Sequence, residues 1–249
     1  MDYALDQGVN FFDTAELYPI PPKKEIYAVT EEIIGSWFKK TGNREKVVLA
    51  SKIAGRADFT KYIRTTGFSK DSIISAVNGS LQRLQTDYID LYQLHWPERN
   101  TNYFGQRGFN AHSIDPWEDN IHQVLETLRD LVKEGKIRAI GLSEANVTTI
   151  KRAHKIHPIT ALQSEYSLWT RNVEDEILPT CRALGIAFVA YSPLGRGMVP
   201  TSRNAASFSF EQGDFRLSLE RATPENFANN TALFKLLYDY ADLLEISPF

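Results

Sequence analysis

A chain of 249 residues, 43% hydrophobic and 24% charged, has the apolar content for a full core, which excludes disorder as the default. A formal net charge of −3, with Lys and Arg scattered along the chain, excludes the basic footprint that non-specific nucleic-acid binding requires. One cysteine, Cys181, excludes an internal disulfide and a CxxC metal or redox pair, while an early acid in MDYALDQG and no apolar run of about 18 residues argue against a leader or a membrane span. The expectation is a cytoplasmic protein without a metal, a nucleic-acid partner or a membrane anchor.

The chain opens on the tail of a helix, DYALDQG, and passes into a short apolar run, VNFFDT (9–14), that stops on a carboxylate, Asp13. Tyr18 follows five residues later, just ahead of a proline cluster. A second run, VVLASKI (47–53), carries Lys52 near its end. SKDSIISAVNGSLQRLQT (69–86) has helical period, with Ile73, Ile74, Val77, Leu81 and Leu84 on one face and Ser69 as the N-cap. YIDLYQLHW (88–96) then leads to His95, and residues 98–116, rich in Asn, Gly and aromatics, form a connection of the length that serves as a lid or binding loop. A second amphipathic helix, EDNIHQVLETLRDLVKEGK (118–136), places Val124, Leu125, Leu128, Leu131 and Val132 together and stops at Gly135. Three further β-type runs follow, IRAIGLS (137–143), ITALQSEYSL (159–168) and IAFVAYSPL (186–194), and after a loop one more helical segment covers roughly 225–246.

Strand and helix alternate throughout, and most runs are continuously apolar in their first half, as strands buried on both faces of a parallel sheet are. The second half of each run turns polar: Asp13, Lys52, His95, Ser143, Gln163 with Glu165, and Tyr191 with Ser192. In a (β/α)8 barrel all strand C-termini open on one face, where these groups would converge. A doubly wound sheet would usually carry a G-x-G-x-x-G turn after its first strand, and none is present. The expected fold is therefore α/β, a TIM-barrel-like (β/α)8 domain over 1–249 that is incomplete, with about six of eight strands, lacking the first and the last and so truncated at both ends. The gap should lie between the 9–14 and 186–194 strands, and unpaired edges should leave the isolated chain marginal in stability or drive it to a homo-oligomer.

Each polar strand end has a plain structural explanation by itself: a cap, a snorkelling lysine, a hydrogen-bonded core histidine, a loop aromatic. Together they suggest chemistry. If Asp13, Lys52 and His95 end neighbouring strands at one level, they meet in one pocket, because parallel strands lie about 4.8 Å apart. A buried Lys52 needs a counter-charge, which Asp13 supplies. An ammonium stabilises a phenolate, so Lys52 makes a nearby Tyr18 a usable proton donor. With His95 donating a hydrogen bond to the same substrate oxygen, the site would polarise a carbonyl and protonate it as charge develops. Such a group calls for a hydride source.

The stretches FFDTAELYP, ASKIAG, LYQLHWPE, IRAIGLSE, QSEYSLW and AYSPLGRG, in this order and covering nearly the whole chain, resemble the aldo-keto reductases. LYPIPP and the long segment after HWPERNTNYFG are most similar to the family's Tas-like bacterial branch. The resemblance implies a catalytic tetrad of Asp13, Tyr18, Lys52 and His95, with Tyr18 as the general acid in reducing an aldehyde or ketone. It implies that Ser143 and Gln163 hold the nicotinamide carboxamide, that Tyr191 stacks on the nicotinamide ring, and that Ser192, Leu194 and Gly195 form the pyrophosphate loop. It also implies NADPH as hydride donor, with NADH the alternative nucleotide, since the family's last strand, which binds the 2′-phosphate, has no counterpart here. Glu144 departs from the family, standing where many members carry asparagine beside the carboxamide. Two other readings stand beside a working reductase: a nicotinamide-binding regulatory or structural module, and an inactive truncated remnant. Tyr103, Phe104, Trp96 and Trp169 suggest an apolar, aromatic-lined substrate pocket.

Overall fold

The computed structural model describes residues 1–98, 119–200 and 210–248, so the 98–116 connection with Tyr103 and Phe104 lies almost wholly outside the described residues. Six strands, β1 (Phe11–Asp13), β2 (Val48–Ile53), β3 (Ile89–Leu94), β4 (Ile137–Ser143), β5 (Ala161–Glu165) and β6 (Ala187–Tyr191), form one sheet in the order β1-β2-β3-β4-β5-β6. The pairs from β1 to β5 are parallel. Every crossover steps to the next strand in the same direction, which is the winding of a (β/α)8 barrel; a doubly wound sheet would reverse its order at a switch point. β1 and β6 are the two edges, where the sequence places the gap.

The described residues also form seven α-helices: α1 (Asp2–Asp6), α2 (Val29–Thr41), α3 (Lys70–Leu84), α4 (Ile121–Lys133), α5 (Val147–Ile156), α6 (Ile177–Leu184) and α7 (Pro224–Leu243). Helix α3 starts where a side chain can replace a missing backbone partner: Ser69 accepts from the Ser72 N–H. Asn146 does the same for α5 and Thr223 for α7. Helix α4 ends with Gly135 at φ +75°, a left-handed residue just past the helix that glycine adopts without strain. Glycine is also required at Gly35, where α2 lies against the end of α3; a Cβ there would stand 2.1 Å from the Arg83 carbonyl oxygen.

Contacts divide the chain into two compact units, Met1–Ser164 with Glu174–Val189, and Glu165–Val173 with Ala190–Phe249. In the first unit, alternation along each strand sorts side chains onto two faces. One face, with Leu49, Ile53, Tyr92, Leu94, Ile140, Leu142 and Leu162, packs against Ile73, Val77, Leu84, Val124, Leu125, Leu128 and Ile150 of the helices. Each such fully buried aliphatic side chain contributes about 1.5–3 kcal/mol relative to exposure. The opposite face carries a smaller apolar cluster, Ala50, Leu91 and Ala161 with Ala139 and Val189, and above them the polar groups of the candidate site.

The second unit centres on α7. Trp169 stacks on Phe234 of that helix at 5.4 Å between ring centroids, and Phe227 lies 5.4 Å from Phe234. Glu165 accepts from Arg221 at 2.6 Å and Arg196 at 3.0 Å. Burial would raise the Glu165 carboxyl, but hydrogen bonds and charge from these two arginines hold it below its ordinary range. No helix among the described residues is long and apolar enough to cross a membrane.

Candidate active site

Register decides how the strand ends meet. Asp13 pairs with Ala50, Lys52 with Gln93, Gln93 with Gly141, and Ser143 with Gln163. Asp13 therefore sits two residues below Lys52, and His95 two residues above it. The expectation that the three end at one level is corrected: they form a staircase. Steps of two preserve the side of the sheet, so all three side chains share the face that bears Ala50 and Leu91.

Lys52 is fully buried and turns its ammonium down the staircase. Its Nζ donates to Asp13 Oδ2 at 2.5 Å and to the Thr14 carbonyl oxygen at 2.9 Å, and it lies 4.9 Å from the centroid of the Tyr18 ring. An ammonium carries three donors, of which these bonds commit two. The Asp13 side chain is 27% exposed, so this end of the pair is wet. The reason is position: Asp13 closes a three-residue edge strand.

Tyr18 and His95 stand edge to face with ring centroids 5.5 Å apart. Burial, and then the charge of Lys52, push the His95 imidazole well below its ordinary value of 6.5. The ring is therefore neutral at neutral pH and carries one proton. Its Nδ1 is buried without a partner among the described residues. Proton placement on Nε2 leaves a lone pair, rather than an N–H, unsatisfied there, and makes Nε2 the donor of the ring. Tyr18, Lys52, Asp13 and His95 are thus brought together.

The loop that carries Tyr18 is held from below by Glu16, which is fully buried. Glu16 accepts from the Ala54 N–H at 2.6 Å and from both terminal nitrogens of Arg64, and its second oxygen accepts from the Tyr27 hydroxyl at 3.2 Å. A buried charge is retained when paired and fully hydrogen-bonded, as here. The Glu16–Arg64 clamp was missed in the sequence because 48 residues separate its members and no local spacing signals it.

Ser143 and Gln163 are both buried and adjacent across the β4–β5 ladder, so a hydroxyl and a carboxamide stand side by side at the strand ends. The next residue, Glu144, has φ +53° and its N–H donates to the Gln163 carbonyl oxygen at 3.0 Å. In the second unit Tyr191 is half-buried, with the Arg196 guanidinium 5.6 Å from its ring centroid. Ser192 at φ +50° and Gly195 at φ +60° bracket a turn in which the Gly195 N–H donates to the Ser192 carbonyl oxygen at 2.8 Å, and Leu194 between them is 60% exposed. Trp96 is corrected from pocket lining to packing: it is 1% exposed, lies 5.9 Å from Phe59 and donates to the Arg56 carbonyl oxygen at 3.3 Å. Trp169 belongs to the second unit, where it is half-buried, stacks on Phe234 and lines an apolar cavity with Leu168, Leu233, Leu236, Leu237 and Tyr240. Among the described residues no cluster of His, Cys, Asp and Glu could hold a metal ion.

The sequence profile of the Aldo/keto reductase family matches residues 1–246. Protein Tas of Escherichia coli is 39% identical over 210 residues, which is 79% of this chain and 59% of Tas. The chain thus spans about three fifths (59%) of the length of the curated relatives it matches. Among solved structures, a glycerol dehydrogenase from Gluconobacter oxydans superposes with a TM-score of 0.74 at 25% identity, over 99% of this chain and 68% of that one. An aldo/keto reductase from Klebsiella pneumoniae in complex with NADP and acetate gives 0.59 at 25% identity, over 98% and 65%.

Proposed function

We propose that this chain, which belongs to the aldo/keto reductase family, is an NADPH-dependent oxidoreductase that reduces the carbonyl of an aldehyde or ketone to an alcohol, with Tyr18 as the general acid. The observation that carries this reading is the fully buried Lys52, whose ammonium is bonded to Asp13 at 2.5 Å and faces the Tyr18 ring at 4.9 Å. A site built for acyl or phosphoryl transfer would need a nucleophile and its base, and this arrangement offers a phenol beside an ammonium instead.

The residues suit a nicotinamide nucleotide. A carboxamide offers both donors and an acceptor, which the paired Ser143 hydroxyl and Gln163 amide complement. Left-handed backbone at Ser192, Gly195 and Gly197 forms a compact turn of the kind that can wrap an anion, which suits the proposed pyrophosphate role of Ser192, Leu194 and Gly195, although the Gly195 and Gly197 N–H groups are bonded within the turn itself. Tyr191 remains the proposed stacking partner of the ring. NADPH, or NADH in its place, supplies hydride when bound. The chain's own part is to accept the substrate carbonyl oxygen between the Tyr18 hydroxyl and His95 Nε2. As negative charge develops on that oxygen, the neutral imidazole donates a hydrogen bond and Tyr18 transfers its proton, while Lys52 stabilises the phenolate left behind. Asp13 holds the ammonium in place. In the NADP complex of the Klebsiella relative the same class of nucleotide is bound, which supports the choice of donor.

The test is nucleotide binding by fluorescence together with NADPH oxidation by a generic aldehyde, for wild type and Tyr18→Phe. Loss of at least about 100-fold in kcat with nearly constant nucleotide affinity is expected, because general acid catalysis contributes about 10²–10⁴-fold. A Tyr18→Phe variant that keeps most of its activity would assign the proton to another group. Binding without turnover in the wild type is the result of a cofactor-holding module, and absence of binding that of an inactive remnant.

A further inference from the structure

We propose that Gln93 is a positioning residue of the site: its side-chain amide grips the free oxygen of Asp13, so that the carboxylate presents its other oxygen to Lys52 beneath Tyr18. The catalytic consequence rests on the carbonyl-reductase reading, whereas the contact itself rests on geometry alone.

Gln93 is fully buried in β3 and is the register partner of Lys52 in β2. Its Nε2 donates to Asp13 Oδ1 at 3.1 Å, while Lys52 Nζ takes Asp13 Oδ2 at 2.5 Å. β3 does not neighbour β1, so the amide reaches across the whole of β2 to meet the carboxylate. That reach matters because Asp13 ends a short edge strand and its side chain is 27% exposed. With a single partner, the carboxylate could rotate toward water and take the lysine with it; two donors on two oxygens fix both its plane and its tilt.

The room for this contact comes from β4. Gly141 pairs with Gln93, and a Cβ at that position would stand 2.8 Å from Gln93 Cγ and 3.2 Å from the Ala161 carbonyl oxygen. The glutamine stem occupies the space that a side chain at 141 would need. Amide orientation is equally constrained, since the reverse assignment would set Oε1 against a carboxylate oxygen, two acceptors facing each other. As it stands Oε1 is buried without a partner among the described residues. A leucine would fill the same volume without stranding an acceptor, so what the amide adds is the bond to Asp13.

The test has one arm that needs no nucleotide. In a 15N–1H spectrum of the free protein, the Gln93 side-chain NH2 pair is identified by its loss in Gln93→Leu, and Asp13→Ala should shift it strongly. The second arm is kinetic: Gln93→Leu should lower kcat about 10-fold while the aldehyde KM and NADPH affinity stay within about 2-fold, the split expected of an interaction that matters in the transition state. Gln93→Glu should be worse at neutral pH, where two carboxylates face each other, and should recover as pH falls and the introduced carboxyl becomes a donor. A purely structural glutamine would lose binding and kcat together and show no such recovery. An unmoved Gln93 resonance in Asp13→Ala, or full kcat in Gln93→Leu beside an inactive Tyr18→Phe, overturns the proposal. If the resonance moves but the wild type reduces no aldehyde, the carbonyl-reductase reading falls and the positioning contact stands.

Discussion

Lys52 and Asp13 pair across the β1–β2 ladder at 2.5 Å, but their two ends differ: the lysine side chain is fully buried and the aspartate side chain is 27% exposed. That asymmetry assigns different costs to the two deletions. Asp13→Ala leaves a buried ammonium with the Thr14 carbonyl oxygen as its recorded partner, and stranding a buried charge costs about 3–5 kcal/mol. Lys52→Met fills the stem with an apolar chain and leaves a carboxylate that water and Gln93 still solvate. Urea unfolding should therefore show the larger stability loss for Asp13→Ala, with aldehyde turnover abolished in both. Equal losses, or the reverse order, would mean that Lys52 is not anchored as described.

His95 gives a pH dependence with a fixed sign. Its ring lies between Tyr18 and Trp96, with centroids at 5.5 and 5.0 Å, and burial followed by the Lys52 charge lowers its pKa well below 6.5. Below the ordinary value the unfolded chain binds a proton that the folded chain refuses, so folding stability is full above about pH 6.5 and declines as pH falls, by at most about 1.4 kcal/mol per pH unit from this group. The wild-type minus His95→Gln difference in unfolding free energy, measured from pH 7 downward, should narrow as pH drops. A difference that is flat over that range would mean that the fold does not hold the imidazole neutral.

How far the sequence carries is clear from particular residues. Strand order and strand ends were legible because a buried parallel strand is continuously apolar and its polar residues collect at the mouth of the sheet. The stagger was not, since nothing in VNFFDT or VVLASKI says that Asp13 pairs with Ala50; register comes from packing of the other face. Strand lengths were overread for the same reason. The run 159–168 leaves the ladder after Glu165, and Ser167 then turns to donate its N–H to the Thr170 carbonyl oxygen at 3.1 Å. Gln93 carried a faint signal, a polar residue two positions before His95 and so on its face, inside a run that should be apolar. Glu16 and Arg64 carried none, because a long-range clamp has no spacing.

Gly35 separates local propensity from packing. In an exposed helix, glycine to alanine gains about 0.5–1 kcal/mol. Here the added Cβ would lie 2.1 Å from the Arg83 carbonyl oxygen and 2.7 Å from the Leu84 carbonyl carbon, both backbone atoms at the end of α3 that cannot rotate away. Overpacking of this kind costs about 1–3 kcal/mol, so it outweighs the gain in propensity. Gly35→Ala should lower Tm by several degrees. A raised Tm would show that α2 and α3 stand farther apart than described.

Glu144 holds a backbone conformation that its side chain disfavours. It follows β4 at φ +53°, tied by its N–H to the Gln163 carbonyl oxygen at 3.0 Å, so the peptide cannot relax without breaking the link between two strand ends. An L-residue in the left-handed region costs about 1–2 kcal/mol, and asparagine adopts that region more readily than glutamate. Glu144→Asn should therefore stabilise the nucleotide-free protein by up to about 1 kcal/mol, or about 2–4 °C in Tm for a chain of this size. If the asparagine amide also reaches the carboxamide of a bound nucleotide beside Ser143 and Gln163, saturating NADPH should raise the Tm of the variant by more than it raises that of the wild type, since a ligand stabilises in proportion to the logarithm of its affinity. Thermal melts of both proteins with and without NADPH separate the two effects: the gain without nucleotide measures backbone strain, and the additional gain with it measures the contact. A lower Tm for nucleotide-free Glu144→Asn would mean that the contacts of the Glu144 side chain outweigh the strain, and the backbone argument for asparagine at this position would fail.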